Sequence, residues 1–219
     1  MIRYRRRYWI VAACLAAVAG FVDAVAFIDT GGFFVSFMSG NSTRLGVGLA
    51  TLISHAAIAV GLIGSFLLGV MAGALAGRRE AGAIAKPVLW LVALLLAAAA
   101  LAHLAGFGAI AVALLAAAMG AENGVFQRDG EVSIGVTYMT GTLVKLGQRL
   151  VAALMGGPRF DWAPYLVLWL GLVLGAFAGA IAYQRFNLSA IWIAAAGMAV
   201  MAIVAPRLRE SPALGRITS

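Results

Sequence analysis

Six stretches of about 20 apolar residues each dominate this chain, and that length decides what it can fold into. They run over residues 8–29, 55–77, 87–105, 107–126, 163–184 and 188–206. An α-helix of that length rises about 30 Å, the thickness of a bilayer's hydrocarbon core. Hydrophobic residues make up 63% of the 219 and charged residues 11%, which leaves too little polar surface for a water-soluble domain. The expectation is an all-α integral membrane protein. Backbone groups in lipid must be satisfied within each segment, so helix is the default for every span.

Two interruptions do not fit a simple count of helices. Thr30–Asn41 is rich in glycine and hydroxyls and leads into the apolar stretch 45–53; Ser133–Met155 has the same character. Both are too polar to face lipid as helices and too apolar for water loops. Each is read as a re-entrant half-helix, over 30–54 and 133–155, set beside protein or a water-filled cavity.

The charges set the orientation. Formal net charge is +8, yet the cations gather at the ends of apolar runs, so the pattern is that of membrane topology and no nucleic-acid partner is expected. With six spans and the amino terminus inside, Arg3, Arg5, Arg6, Arg7, Arg78, Arg79, Lys86, Arg128, Arg159, Arg207, Arg209 and Arg216 are cytoplasmic, whereas Arg185 is outside. The expected location is a bacterial inner membrane with both termini cytoplasmic. Arg5–Arg7 followed by an apolar run resembles a signal peptide, but the same run belongs to an internal repeat, so it is read as a retained first span.

The repeat is carried by three matches in the same order. Met38-Ser39-Gly40 with Arg44-Leu45-Gly46 aligns with Met139-Thr140-Gly141 and Lys145-Leu146-Gly147, an offset of 101 residues. Gly20 and Asp23 align with Gly120 and Asn123 at an offset of 100, and Gly69, Gly73 and Gly77 with Gly171, Gly175 and Gly179 at 102. Residues 8–105 and 106–206 are thus two repeats, with tails at 1–7 and 207–219. Each holds three spans. An odd number forces the halves into opposite orientations, and inverted repeats around broken helices are a recurring transporter design with a site near the bilayer midplane.

The segments Gly20-Phe21-Val22-Asp23-Ala24, Met38-Ser39-Gly40-Asn41 and Thr137–Thr142 resemble those of the YoaK family of small six-span bacterial membrane proteins. Glu122 departs from the Gln usual there. The resemblance implies no defined activity, only a general expectation of solute transport.

The candidate substrate-binding residues follow. Asp23 is a carboxylate inside a span, costing about 2.5–3.5 kcal/mol on insertion scales, so it needs a partner or water. It is read as a coupling or substrate site, or as a bond to Ser39, Asn41 or Arg44. Glu122 and Asn123 are its counterparts. Ser39, Gly40, Asn41 and Thr43, with Thr140, Gly141 and Thr142, suit the amino terminus of a half-helix, where hydroxyls and amides cap free N–H groups. Arg44 and Lys145 are counter-charges for a ligand or partners of Asp23 and Glu122. The glycine ladders bring helix backbones close and offer a face for homodimerisation. The spacing of His, Cys and acidic residues fits no metal motif, there is no P-loop, and no nucleophile–base pair is recognisable. No cofactor and no enzymatic activity are expected. The expectation is a transporter or channel for a small solute or ion; the rival is a scaffold, sensor or partner subunit.

Overall fold

A computed structural model describes residues 6–78, 84–128, 131–132 and 135–205. Helix α1 spans Arg6–Asp29, α2 Met38–Thr51, α3 Ile53–Gly77, α4 Lys86–Leu104, α5 Gly108–Glu122, α6 Met139–Leu154, α7 Ala163–Phe186 and α8 Ile191–Val204. A 3-10 turn, Asn123–Phe126, extends α5, and another, Asn187–Ala190, links α7 to α8. The fold is helical apart from a two-residue hairpin in which Gln127 pairs with Val132 and Arg128 with Glu131. The carboxy-terminal tail and most of the amino-terminal one lie outside the described residues.

Among the described residues, five continuous segments are long and apolar enough to cross a membrane: Tyr8–Asp29, Ile53–Gly77, Lys86–Leu104, Gly108–Phe126 and Ala163–Val204. The fifth holds 42 residues, because the 3-10 turn Asn187–Ala190 joins the fifth and sixth spans expected from the sequence without a non-helical gap. Asn187 breaks its axis, with φ 49° and ψ −144°. Beyond the break the partners change: α7 packs along α1 and α6, and α8 packs on α4. Helices α2 and α6, at 14 and 16 residues, rise only about 21 and 24 Å, short of a full crossing.

Two glycine seams hold the helices together. On α7, a Cβ at Gly171, Gly175 or Gly179 would strike the backbone of Ala13, Ala17 or Phe21 on α1. On α3, a Cβ at Gly69 or Gly73 would strike that of Ala117 or Ala121 on α5. Residue numbers rise together along each seam, so α1 runs parallel to α7 and α3 parallel to α5. Each seam is sealed from the other side by one more glycine: Gly20 meets Leu172 and Ala176, and Gly120 meets Phe66 and Val70. Close backbone approach of this kind is what small-xxx-small spacing provides in lipid, where packing rather than water exclusion drives association.

The two seams have a contact register of their own. Ala17 meets Gly175 while Ala117 meets Gly69, and Phe21 meets Gly179 while Ala121 meets Gly73. With α1 and α5 matched at an offset of 100, α3 and α7 match at 106, not 102. In contact register Gly73 stands to Ala121 as Gly179 stands to Phe21, one helical turn from the 102-residue alignment. The cause is chain length: α2 and α3 are joined by Leu52 alone, whereas residues 155–162 separate α6 from α7. The ladder glycines are thus consumed inside the chain. Gly61, eight residues before Gly69 on the same face of α3, has nothing within 4 Å of a Cβ and lies on the outer surface.

Candidate functional site

The segment after α1 folds back along it. Gly31 and Gly32 have φ of 68° and 115°, and their N–H groups donate to Ile28 and Phe27 carbonyls, a Schellman end that needs residues without a Cβ. Thr30 Oγ1 donates to the Ala26 carbonyl at 2.7 Å and accepts from Phe33 N at 3.0 Å. The chain then passes Asp23, six residues or about 9 Å back from the end of α1. Asp23 Oδ1 accepts from Val35 N at 2.7 Å and Ser36 N at 2.9 Å.

Asp23 is therefore satisfied by loop backbone, not by Ser39, Asn41 or Arg44. The Arg44 guanidinium lies over the Phe33 ring, 5.0 Å from its centroid. Asn41, fully buried, clamps the same loop: Oδ1 accepts from Phe34 N at 3.1 Å and Nδ2 donates to the Phe34 carbonyl at 2.6 Å. Truncating Asn41 to Ala orphans both backbone groups at about 1–3 kcal/mol each. Thr142, at the matching position, bonds only the Tyr138 carbonyl of its own first turn, at 3.1 Å. Thermal unfolding should accordingly show a large loss for Asn41→Ala and a small one for Thr142→Val; equal losses would refute the clamp.

The second half repeats the anchor with different chemistry. Asn123 Oδ1 accepts from Thr137 Oγ1 at 2.9 Å, while Nδ2 donates to the Met119 carbonyl at 3.1 Å. Asn123 holds Thr137 where Asp23 holds Ser36. Glu122 sits beside this anchor, fully buried, and neither carboxyl oxygen has a hydrogen-bond partner among the described residues.

The starts of α2 and α6 differ from the capping expected. Phe37 and Tyr138 occupy the N-cap positions of α2 and α6, and neither helix has a side-chain cap. The hydroxyls inside them turn back on the helix instead: Ser42 bonds the Met38 carbonyl at 2.8 Å and Thr43 that of Ser39 at 3.2 Å. Ser and Thr one turn inside a helix commonly do this, which leaves the first N–H groups open.

Both starts meet at one cavity of about 280 Å³. Ser36, Phe37, Met38 and Ser39 line it from one half; Thr137, Tyr138, Met139, Thr140 and Gly141 line it from the other; Phe66 of α3 completes the wall. Of the twelve candidate residues, Ser39, Thr140 and Gly141 line the cavity. Asp23, Asn41 and Asn123 hold the loops behind it, and Gly40 lets the Phe34 and Phe37 rings pack close. Thr43 and Lys145 are exposed elsewhere, and neither Arg44 nor Glu122 reaches the lining. Sequence reasoning missed Ser36, Phe37, Thr137 and Tyr138. The signal was present: Val35-Ser36-Phe37-Met38-Ser39-Gly40 and Val136-Thr137-Tyr138-Met139-Thr140-Gly141 differ only by conservative exchanges.

Among known proteins, residues 11–204 match DUF1275, a family described as "Protein of unknown function". The UPF0700 transmembrane protein RA0705 of Rhizobium meliloti (strain 1021) is 36% identical over 197 residues, covering 86% of this chain and 83% of that protein. No solved structure matches. With nearly all of its helical core inside the match, the chain belongs to the DUF1275 family and is a transmembrane protein.

Proposed function

We propose that this protein is a transporter or channel for a small solute, of the YoaK type that its motifs resemble. The single observation that carries the reading is the cavity walled by the same motif from both halves of the chain. Six crossings suit this arrangement, with α7 crossing on one side of Asn187, the Asn187–Ala190 turn and α8 together making the crossing on the other, and α2 and α6 entering as half-helices. An inverted three-plus-three repeat explains why α1 runs parallel to α7 and α3 to α5. Each half lends a helix to the other's seam, so a rocking of one half against the other would open the cavity to alternate sides. The charge distribution favours a bacterial inner membrane with both termini cytoplasmic. The scaffold reading is weakened by the use of the ladder glycines inside the chain.

Accessibility tests the proposal. In a Cys14→Ser background, Ser39→Cys and Thr140→Cys should each react with a small water-soluble thiosulfonate. Intact cells and inverted vesicles would report access from the two faces. A transport pathway predicts reaction at both positions, with one site favoured from each face. A sealed interior, in which neither cysteine reacts from either face, would overturn the proposal and leave the scaffold.

A further inference from the structure

The cavity also indicates the chemistry of its occupant, an inference that rests on the transport reading above. Its wall contains rings and thioethers, from Phe37, Phe66, Tyr138, Met38 and Met139, interspersed with hydroxyls. Among the described residues, no charged side chain lines it. Among the described residues, Asp23 is engaged by the Val35 and Ser36 N–H groups, Arg44 lies over the Phe33 ring, and Lys145 is exposed and outside the lining. An ion docking against this wall would lose part of its hydration without meeting a counter-charge among the described lining residues, which is unfavourable. A neutral molecule loses nothing comparable. Its apolar part gains contact with rings and thioethers, and a hydroxyl or carbonyl finds partners in Ser39 and Thr140, whose side-chain oxygens carry no hydrogen bond to another side chain or to backbone among the described residues. The volume matches about nine waters' share of liquid, enough for a single small ring and its substituent.

We propose that the cavity between the two half-helices takes an uncharged small molecule with an apolar body and one hydrogen-bonding end. Sorting against ions then follows from the absence of a compensating charge, and sorting by size from the ring-lined wall.

Three probes of one shape and different charge test this: benzyl alcohol, benzoate and benzylammonium. Each is titrated against purified protein in nanodiscs, with empty nanodiscs as the blank for lipid partitioning. Binding is read by saturation-transfer NMR and by thermal stabilisation. Benzyl alcohol should bind saturably, and the two ions should give no saturable signal at equal concentration. The Ser39→Ala/Thr140→Val double variant should weaken benzyl alcohol by about two- to tenfold for each hydroxyl lost, while its unfolding temperature without ligand stays near wild type. Saturable binding of either ion as tight as that of the alcohol overturns the proposal. So does the absence of saturable binding by all three, or an unchanged affinity in the double variant. Thiosulfonate reaction at Ser39→Cys and Thr140→Cys separates the two levels. Reactive cysteines with the wrong probe bound reject the neutral ligand alone, and unreactive cysteines reject the pathway as well.

Discussion

Gly175→Ala and Gly69→Ala are expected to destabilise the protein by roughly 1–3 kcal/mol each, the usual cost of overpacking a tight contact. A Cβ at either position falls on helix backbone, at Ala17 or Ala117, which cannot swing aside as a side-chain tip can. Gly175→Leu and Gly69→Leu should prevent assembly altogether, because the seam between parallel helices would have to open along its length. The control is internal. Gly61 and Gly197 have nothing within 4 Å of a Cβ, so Gly61→Ala and Gly197→Ala should be neutral or gain up to about 1 kcal/mol from helix propensity. Thermal unfolding in detergent, followed by far-UV circular dichroism, reads all four. Equal tolerance at Gly175 and Gly197 would mean that the seam does not hold the fold.

The ladders also show where sequence was readable and where it was not. That Gly69, Gly73, Gly171 and Gly175 would bring backbones together follows from spacing alone, because every fourth residue shares a helix face. Their register does not follow, because a pattern of period four matches itself after a slip of one turn. Only contact with a second helix, Ala17 against Gly175 and Ala117 against Gly69, removes the ambiguity. The spans were legible for a simpler reason: apolar length is a local property, and lipid imposes it. The break after α1 was legible at Gly31-Gly32, because a left-handed backbone selects glycine.

The cavity was half legible. Attention to charge selected Arg44, Lys145 and Glu122, because an ionisable group in a span demands an explanation. The wall is instead made of Ser36, Phe37, Met38 and their counterparts, residue types that are unremarkable singly and informative only as a repeated string. The anchors were legible as residues but not as partners. Asp23 meets loop backbone 12 and 13 positions away, a contact that depends on how the Schellman turn aims the chain. Backbone N–H groups carry no sequence signature, so the partner of Asp23 could not be read from composition or spacing.

Asp23 is where the structure makes the sharpest mechanistic distinction. One carboxylate oxygen holds two N–H groups of the segment that leads into α2. Asp23→Ala orphans both N–H groups at once. At about 1–3 kcal/mol per orphaned group, the expected loss is roughly 2–6 kcal/mol, enough to release the 30–37 segment or to unfold a marginal protein. Asp23→Asn keeps an oxygen at the same place, and the second half of the chain already uses Asn123 to hold Thr137. Stability of Asp23→Asn should therefore stay within about 1 kcal/mol of wild type, with the charge-assisted part of the bonds the main loss. A carboxylate that titrates during transport would behave differently: Asp23→Asn would fold normally yet abolish any pH dependence of solute binding. The anchor role predicts that benzyl alcohol binds Asp23→Asn with the pH profile of the wild type, and that Asp23→Ala loses binding together with structure. A flat pH profile in a stable Asp23→Asn protein, against a sloping one in wild type, would assign Asp23 to coupling. A large stability loss in Asp23→Asn would instead show that the negative charge itself is what the loop requires.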